Sequence, residues 1–220
     1  MDEDKIGDVT RTLRKNRPII MKRSRKFERP RSTNEGKISE VGSLIVIAYK
    51  GSKRDRMKID VFLRRAPCIR LCRGVYAFSQ WHKRFDKGEE LVDATKFWNF
   101  IREVDENAVV ISRLIIDNSE SIAKILEETR TRVEKKIEGI IEGNRNLYQK
   151  MRQGEGDREY VLSTARKLRK KFVTVKKLSN FYVRWLRLNL SHLLIRPYSS
   201  FRKVNSLLGE KYGVVLLRGK

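Results

Sequence analysis

Apolar and polar positions change period several times along the chain, and each change marks an element. Ser43-Leu44-Ile45-Val46-Ile47-Ala48-Tyr49 is an apolar run rich in β-branched residues, which predicts a strand, and Gly51 and Ser52 break it. Between Lys53 and Ala66, the residues Ile59, Phe62, Leu63 and Ala66 recur at the spacing of a one-faced helix, and Pro67 stops it. Cys68–Cys72 and Val75–Phe78 read as extended, with Gly74 at the turn between them. Ala94, Phe97, Trp98, Ile101 and Val104 mark a second amphipathic helix, and Ala108–Ile116 reads as a last buried strand.

From there the helical period takes over. Asp117-Asn118-Ser119-Glu120 is a helix start, with small polar capping groups and an early acid. Ile122, Leu126, Thr129, Val133, Ile137, Ile140, Asn144, Leu147 and Met151 then step by threes and fours, which predicts a helix to about Met151. Such a length invites coiled-coil packing, within the chain or across a homodimer. Gly139 and Gly143 weaken that helix, and Gln153–Asp157 should reverse the chain. Arg158–Ile195 is a second long helical region whose stripe is Ala165, Leu168, Phe172, Val175, Leu178, Tyr182 and Trp185, giving an αα-hairpin. Val173-Thr174-Val175 and Ser179 are candidate break points, and Pro197 should end it. Ser199 or Ser200 then caps a short helix to about Lys211, and Gly213–Arg218 reads as a terminal strand.

The order β-α-β-β-α-β over Leu44–Asp117 is the split, ferredoxin-like arrangement, so the expected fold class is α+β. Three parts follow: a basic flexible arm 1–43, the ferredoxin-like α/β domain 44–117, and a basic helical region 118–220. With both helices on one side of the sheet, the other face is left to be covered or used. Leu44–Tyr49 ending on a tyrosine, the basic helix with Arg54 and Arg56, and Ile69-Arg70-Leu71-Cys72-Arg73-Gly74-Val75-Tyr76 carry a resemblance. The segment 44–117, about a third of the chain, resembles a module of the small CRISPR-associated integration and nuclease subunit. It is also similar to the N-terminal part of ChrB-type chromate-resistance regulators and to PaaX-type repressors. The resemblance implies the ferredoxin-like fold and a nucleic-acid context. In the CRISPR-associated family an Asp follows the first-strand tyrosine and is proposed to bind metal. Here that position is Lys50, whose ammonium group does not ligate a divalent cation as a carboxylate does, which argues against a nuclease.

Charge changes the picture most. The net charge is +24 with a pI near 10.3, and residues 166–220 alone carry 15 Lys/Arg against one acid. So large a charge repels itself in the compact state, so an anionic partner is expected, with nucleic acid ahead of an anionic membrane surface. No apolar run approaches the roughly 18 residues of a spanning helix. Arg11–Arg31 holds ten basic residues and one acid and contains Pro18 and Pro30. It buries too little to offset chain entropy, and reads as a disordered arm that orders on phosphate or as a solvated leader. Cys68 and Cys72 sit on one strand, where along-strand spacing forbids a disulfide, so both are expected to be free. With only His82 and His192 besides, no zinc site is expected, and neither metal nor cofactor. The opening Met1-Asp2-Glu3-Asp4 does not read as a secretory leader, and the expected location is the cytoplasm.

The expected function is therefore non-catalytic binding of DNA or structured RNA, as a regulator, chromatin-type or ribosome-associated protein. The alternative is a metal-dependent nuclease of the CRISPR-associated type. The candidate phosphate-binding residues fall in three groups. The arm offers Arg14, Lys15, Arg17, Lys22, Arg23, Arg25 and Lys26. The loop after the third strand offers Trp81, Lys83 and Arg84, near His82 and Phe85. There, basic groups hold phosphate and rings stack on unpaired bases, or Trp81 and Phe85 simply cover the sheet. The second long helix offers Lys167, Lys170, Lys177, Arg184 and Arg187, aligned with Ser163, Thr174, Asn180 and Ser191 on one face if the helix is continuous. Arg166, Arg169, Lys171 and Lys176 flank that face.

Overall fold

A computed structural model describes residues 19–52, 54–81, 91–116 and 118–216 of the chain. The strands are β1 (Met21–Arg23), β2 (Arg31–Ser32), β3 (Ile38–Glu40), β4 (Leu44–Ala48), β5 (Cys68–Cys72), β6 (Val75–Ser79) and β7 (Val109–Ile116). The helices are α1 (Arg56–Arg65), α2 (Ala94–Val104), α3 (Ser119–Gln153), α4 (Arg158–Leu186) and α5 (Ile195–Tyr212), with a 3₁₀ turn at Ser191–Leu194. The fold is mixed α+β, and the chain divides into two compact units. One runs to Glu127 and takes in Trp185–Arg187; the other comprises Glu128–Arg184 and the chain from Leu188 onward.

The first unit is built on a five-stranded antiparallel sheet in the order β1-β7-β4-β6-β5. Alternation along β4 and β6 sends Ile47, Tyr76 and Phe78 to one face, where they join Cys68 of β5. Ile59 and Leu63 of α1 and Phe97 and Ile101 of α2 close that core. Pro67 stops α1 as its ring requires, and Asp93 caps α2 by accepting the Lys96 N–H at 2.8 Å. The sheet positions of opposite parity, Leu44, Val46, Ile69 and Ala77, are buried as well, but β7 is not the buried strand expected: Val109 and Ile111, opposite Ala48 and Val46, are exposed.

The basic arm expected over residues 1–43 is corrected for its described part. Met21–Arg23 forms an edge strand paired with Leu114–Ile116, and β2 and β3 pair with each other. An edge strand is held by main-chain donors and acceptors that any residue supplies, so a basic sequence does not forbid it. Residues 24–43 are then pinned locally. Ser24 N–H donates to Arg113 O at 2.8 Å, and Ser43 Oγ accepts the Glu28 N–H at 2.8 Å. Ile38 and Val41 are buried.

Gly74 locks the turn between β5 and β6 against the end of β4. Its φ is +77°, and a Cβ there would lie 2.3 Å from the Tyr49 carbonyl oxygen, while Tyr49 N–H donates to Gly74 O at 2.9 Å. Gly74→Ala is therefore expected to cost about 2–4 kcal/mol in urea unfolding. Gly36→Ala, with φ +75° but nothing within 4 Å of the added methyl, pays only the left-handed strain of about 1–2 kcal/mol.

The second unit is helical. α3 begins in the first unit, where Asn118 caps it by accepting the Ser121 N–H at 2.7 Å, and Asp157 caps α4 by accepting the Tyr160 N–H at 2.6 Å. Gly143 lets α4 approach α3: a Cβ there would meet Leu168 Cδ2 at 2.6 Å. α5 packs as a third helix through Phe172–Phe201, 5.7 Å between ring centres, and through Asn144 Nδ2 donating to Ser200 Oγ at 2.9 Å.

Three sequence expectations are corrected here. α4 ends at Leu186 rather than Ile195, because Arg187 turns left-handed with φ +53°. Pro197 does not end a helix; it lies in the first turn of α5, where its missing N–H costs nothing. The terminal strand does not form in its described part, Gly213–Leu216. Gly213 instead ends α5 in the left-handed conformation, and Leu216 N–H donates back to Asn205 Oδ1 at 2.7 Å.

Candidate nucleic-acid interface

α4 runs unbroken through Val173-Thr174-Val175 and Ser179, so the predicted alignment holds from Ser163 to Arg184. Arg187 falls outside it, past the helix end and grouped with the sheet unit, and Ser191 lies in the following 3₁₀ turn. The apolar stripe of Val161, Ala165, Leu168, Phe172, Val175, Leu178 and Tyr182 is buried. On the other side, Lys167, Lys170, Asn180 and Arg184 are exposed, and Thr174 and Lys177 are half-buried. Arg166, Arg169, Lys171 and Lys176 are exposed on the flanks. The helix carries nine basic residues and one acid, Glu159 in its first turn. From Lys167 to Arg184 the strip is about 25 Å long, at 1.5 Å per residue, close to seven base-pair steps of a duplex. Local bonds tie parts of it down: Thr174 Oγ1 donates to Lys170 O at 3.0 Å and Arg184 Nε to Asn180 O at 3.4 Å.

The other described candidates belong to the sheet unit. Lys22 and Arg23 are exposed on β1, and Arg25 and Lys26 are exposed on the turn after it. That turn is held by Lys26 N–H donating to Ser24 Oγ at 3.3 Å and by Arg113 Nη1 donating to Arg25 O at 3.4 Å. Arg14, Lys15, Arg17, Lys83 and Arg84 lie outside the described residues. Trp81 is described and is 43% exposed.

A second basic feature escaped the sequence reading. A cleft of about 900 Å³ opens at the carboxyl end of β4, lined by Lys50, Arg56, Arg70, Arg73, Asp60 and the Tyr49–Tyr76 wall, among others. Tyr49 and Tyr76 stack with ring centres 6.1 Å apart and 11° between planes. Burial, reinforced by the Tyr76 hydroxyl and the Asp60 carboxylate, pushes the Tyr49 hydroxyl well above its ordinary pKa and keeps it protonated. The rim is braced by Asp105, whose carboxylate accepts the Lys50 N–H at 2.7 Å and the Asn107 N–H at 3.0 Å. The bond from Lys50 is the main reason its pKa lies below the usual carboxylate range. One signal for the cleft was present in the sequence. Arg70 takes a sheet register shared with buried Cys68, paired opposite Tyr76, where a charge has no business in a core.

No protein family, no curated protein and no solved structure matches this chain. Among the described residues, no three His, Cys, Asp or Glu side chains gather as a metal-ligand cluster. No described helix is long and apolar enough to cross a membrane. Neither Cys68, buried, nor Cys72, exposed, forms a disulfide.

Proposed function

We propose that the protein is a non-catalytic, cytoplasmic nucleic-acid-binding protein that holds a phosphate backbone along the exposed face of α4. The carrying observation is the composition of that helix, nine cations against one carboxylate, with its buried apolar stripe on the opposite side. Ordinary solvated helices mix signs, as Ser119–Glu142 of α3 does with six acids and five bases. A one-signed helix is costly through self-repulsion unless an anionic polymer relieves it. Lys and Arg contacts to phosphate supply affinity with little sequence information, so weak specificity is expected. Lys22, Arg23, Arg25 and Lys26, all exposed, supply further phosphate contacts from the sheet unit.

We read the sheet unit as ferredoxin-like. Leaving out the added strand β1, the order β7-β4-β6-β5 with α1 and α2 both on the Ile47–Phe78 side supports this reading. On the opposite sheet face Leu44, Val46, Ile69 and Ala77 are buried, so bases do not stack at these positions. The test is fluorescence anisotropy of duplex DNA and structured RNA against the full chain at one fixed salt concentration, then across a salt series. Affinity falling linearly with log salt for at least one of the two is expected. Salt-independent binding, or none to either, overturns the proposal.

A further inference from the structure

We infer that the cleft at the carboxyl end of β4 is a binding site for a phosphate monoester of nucleotide size. The inference is independent of the α4 strip, with which it shares no residue. Four cations, Lys50, Arg56, Arg70 and Arg73, line the cleft against one lining carboxylate, Asp60, and one on the rim, Asp105. That excess suits a group carrying about −1.5 to −2 at neutral pH, which describes a phosphate monoester rather than a single carboxylate. Three of the four are arginines, whose planar forks match pairs of phosphate oxygens. Among the described residues, the side chains of Arg56, Arg70 and Arg73 have no hydrogen-bond or ion-pair partner, so their donors are open to a ligand.

The rest of the cleft fits the ester's organic part. Ile59 and the Tyr49 and Tyr76 side chains form its apolar wall, and about 900 Å³ is at the upper end of small-molecule sites. The site is also preformed. The Lys50 N–H is fixed on Asp105, Tyr49 N–H on Gly74 O, and Ser52 Oγ donates to Asp55 Oδ2 at 2.5 Å. Binding then costs little loop ordering. The phosphate monoester can be a free nucleotide or the 5′-phosphate end of a strand.

Calorimetry on the full chain with adenosine 5′-monophosphate and with adenosine tests this. The nucleotide should bind at least about tenfold more tightly than the nucleoside, because the open arginines lose their ligand without the phosphate. Arg70→Gln with Arg73→Gln should weaken nucleotide binding by about tenfold or more, and Arg56→Gln alone, on a different element, should weaken it measurably. A variant with the α4 strip neutralised should bind the nucleotide as the parent does, which separates this site from the proposed function. Short strands with and without a 5′-phosphate distinguish the sources in that α4 variant. Preference for the phosphorylated strand assigns the strand end, and equal binding alongside tight nucleotide binding assigns the free nucleotide. Nucleotide and nucleoside binding alike, no binding of either, or nucleotide binding untouched by both arginine variants overturns the inference.

Discussion

Replacing Lys167, Lys170, Lys177 and Arg184 together by glutamine is expected to weaken nucleic-acid binding by roughly 10²–10³-fold near physiological salt. Each neutralised phosphate contributes about 0.9 to the slope of log affinity against log salt on a duplex, so removing four contacts should flatten that slope by roughly 3–4. The loss should be about equal across sequences, because backbone contacts position the protein without reading bases. The fold should survive. Lys167, Lys170 and Arg184 are exposed, glutamine keeps helix propensity close to that of lysine and arginine, and removing like charges relieves repulsion. Lys124→Gln with Lys135→Gln, on the mixed-sign surface of α3, should change the slope far less. Anisotropy titrations at several salt concentrations check both variants.

Phe97→Ala should destabilise the sheet unit by about 3–5 kcal/mol. Phe97 is fully buried at the centre of an aromatic cluster. Its ring lies 5.4 Å from that of Phe78, 6.0 Å from Tyr76 and 6.2 Å from Tyr49, the last two edge-on. Truncation removes the transfer energy of the ring, leaves a cavity that Tyr76 and Phe78 on β6 and Tyr49 just past β4 cannot fill, and deletes edge-to-face contacts worth about 0.5–1.5 kcal/mol each. Phe97→Leu keeps most of the volume and should cost about half as much or less. Urea unfolding followed by tyrosine and tryptophan fluorescence measures both.

What could be read from the residues alone follows from which forces were local. The β4 run, the stripes of α1, α2, α3 and α4, the stop at Pro67 and the cap at Asn118 all rest on periodicity or on one side chain meeting a nearby backbone group. β1 was missed because its pairing with β7 is long-range and made of main-chain bonds, which leave no side-chain signature in a basic segment. Arg187 carried no warning of its left-handed turn, since helix ends are usually announced by glycine or proline. Pro197 was misread because proline marks the first turn of a helix as readily as the end of one, and spacing alone does not tell which. On α4, the one-signed face was legible because helical spacing groups its cations without help from any other element. The cleft was signalled by Arg70 alone, because Lys50, Arg56 and Arg73 are brought to it only by the sheet topology.

Lysine footprinting tests the central claim most directly. The full chain is acylated briefly with and without saturating duplex DNA or structured RNA, and labelling is read residue by residue by mass spectrometry. The account predicts that Lys167, Lys170, Lys171, Lys176 and Lys177 are protected, and that high salt removes the protection as phosphate contacts dissociate. Exposed Lys37, Lys124 and Lys135, which are not part of the strip, should label equally in both states. Unchanged labelling of the α4 lysines under conditions where nucleic acid is bound would contradict it.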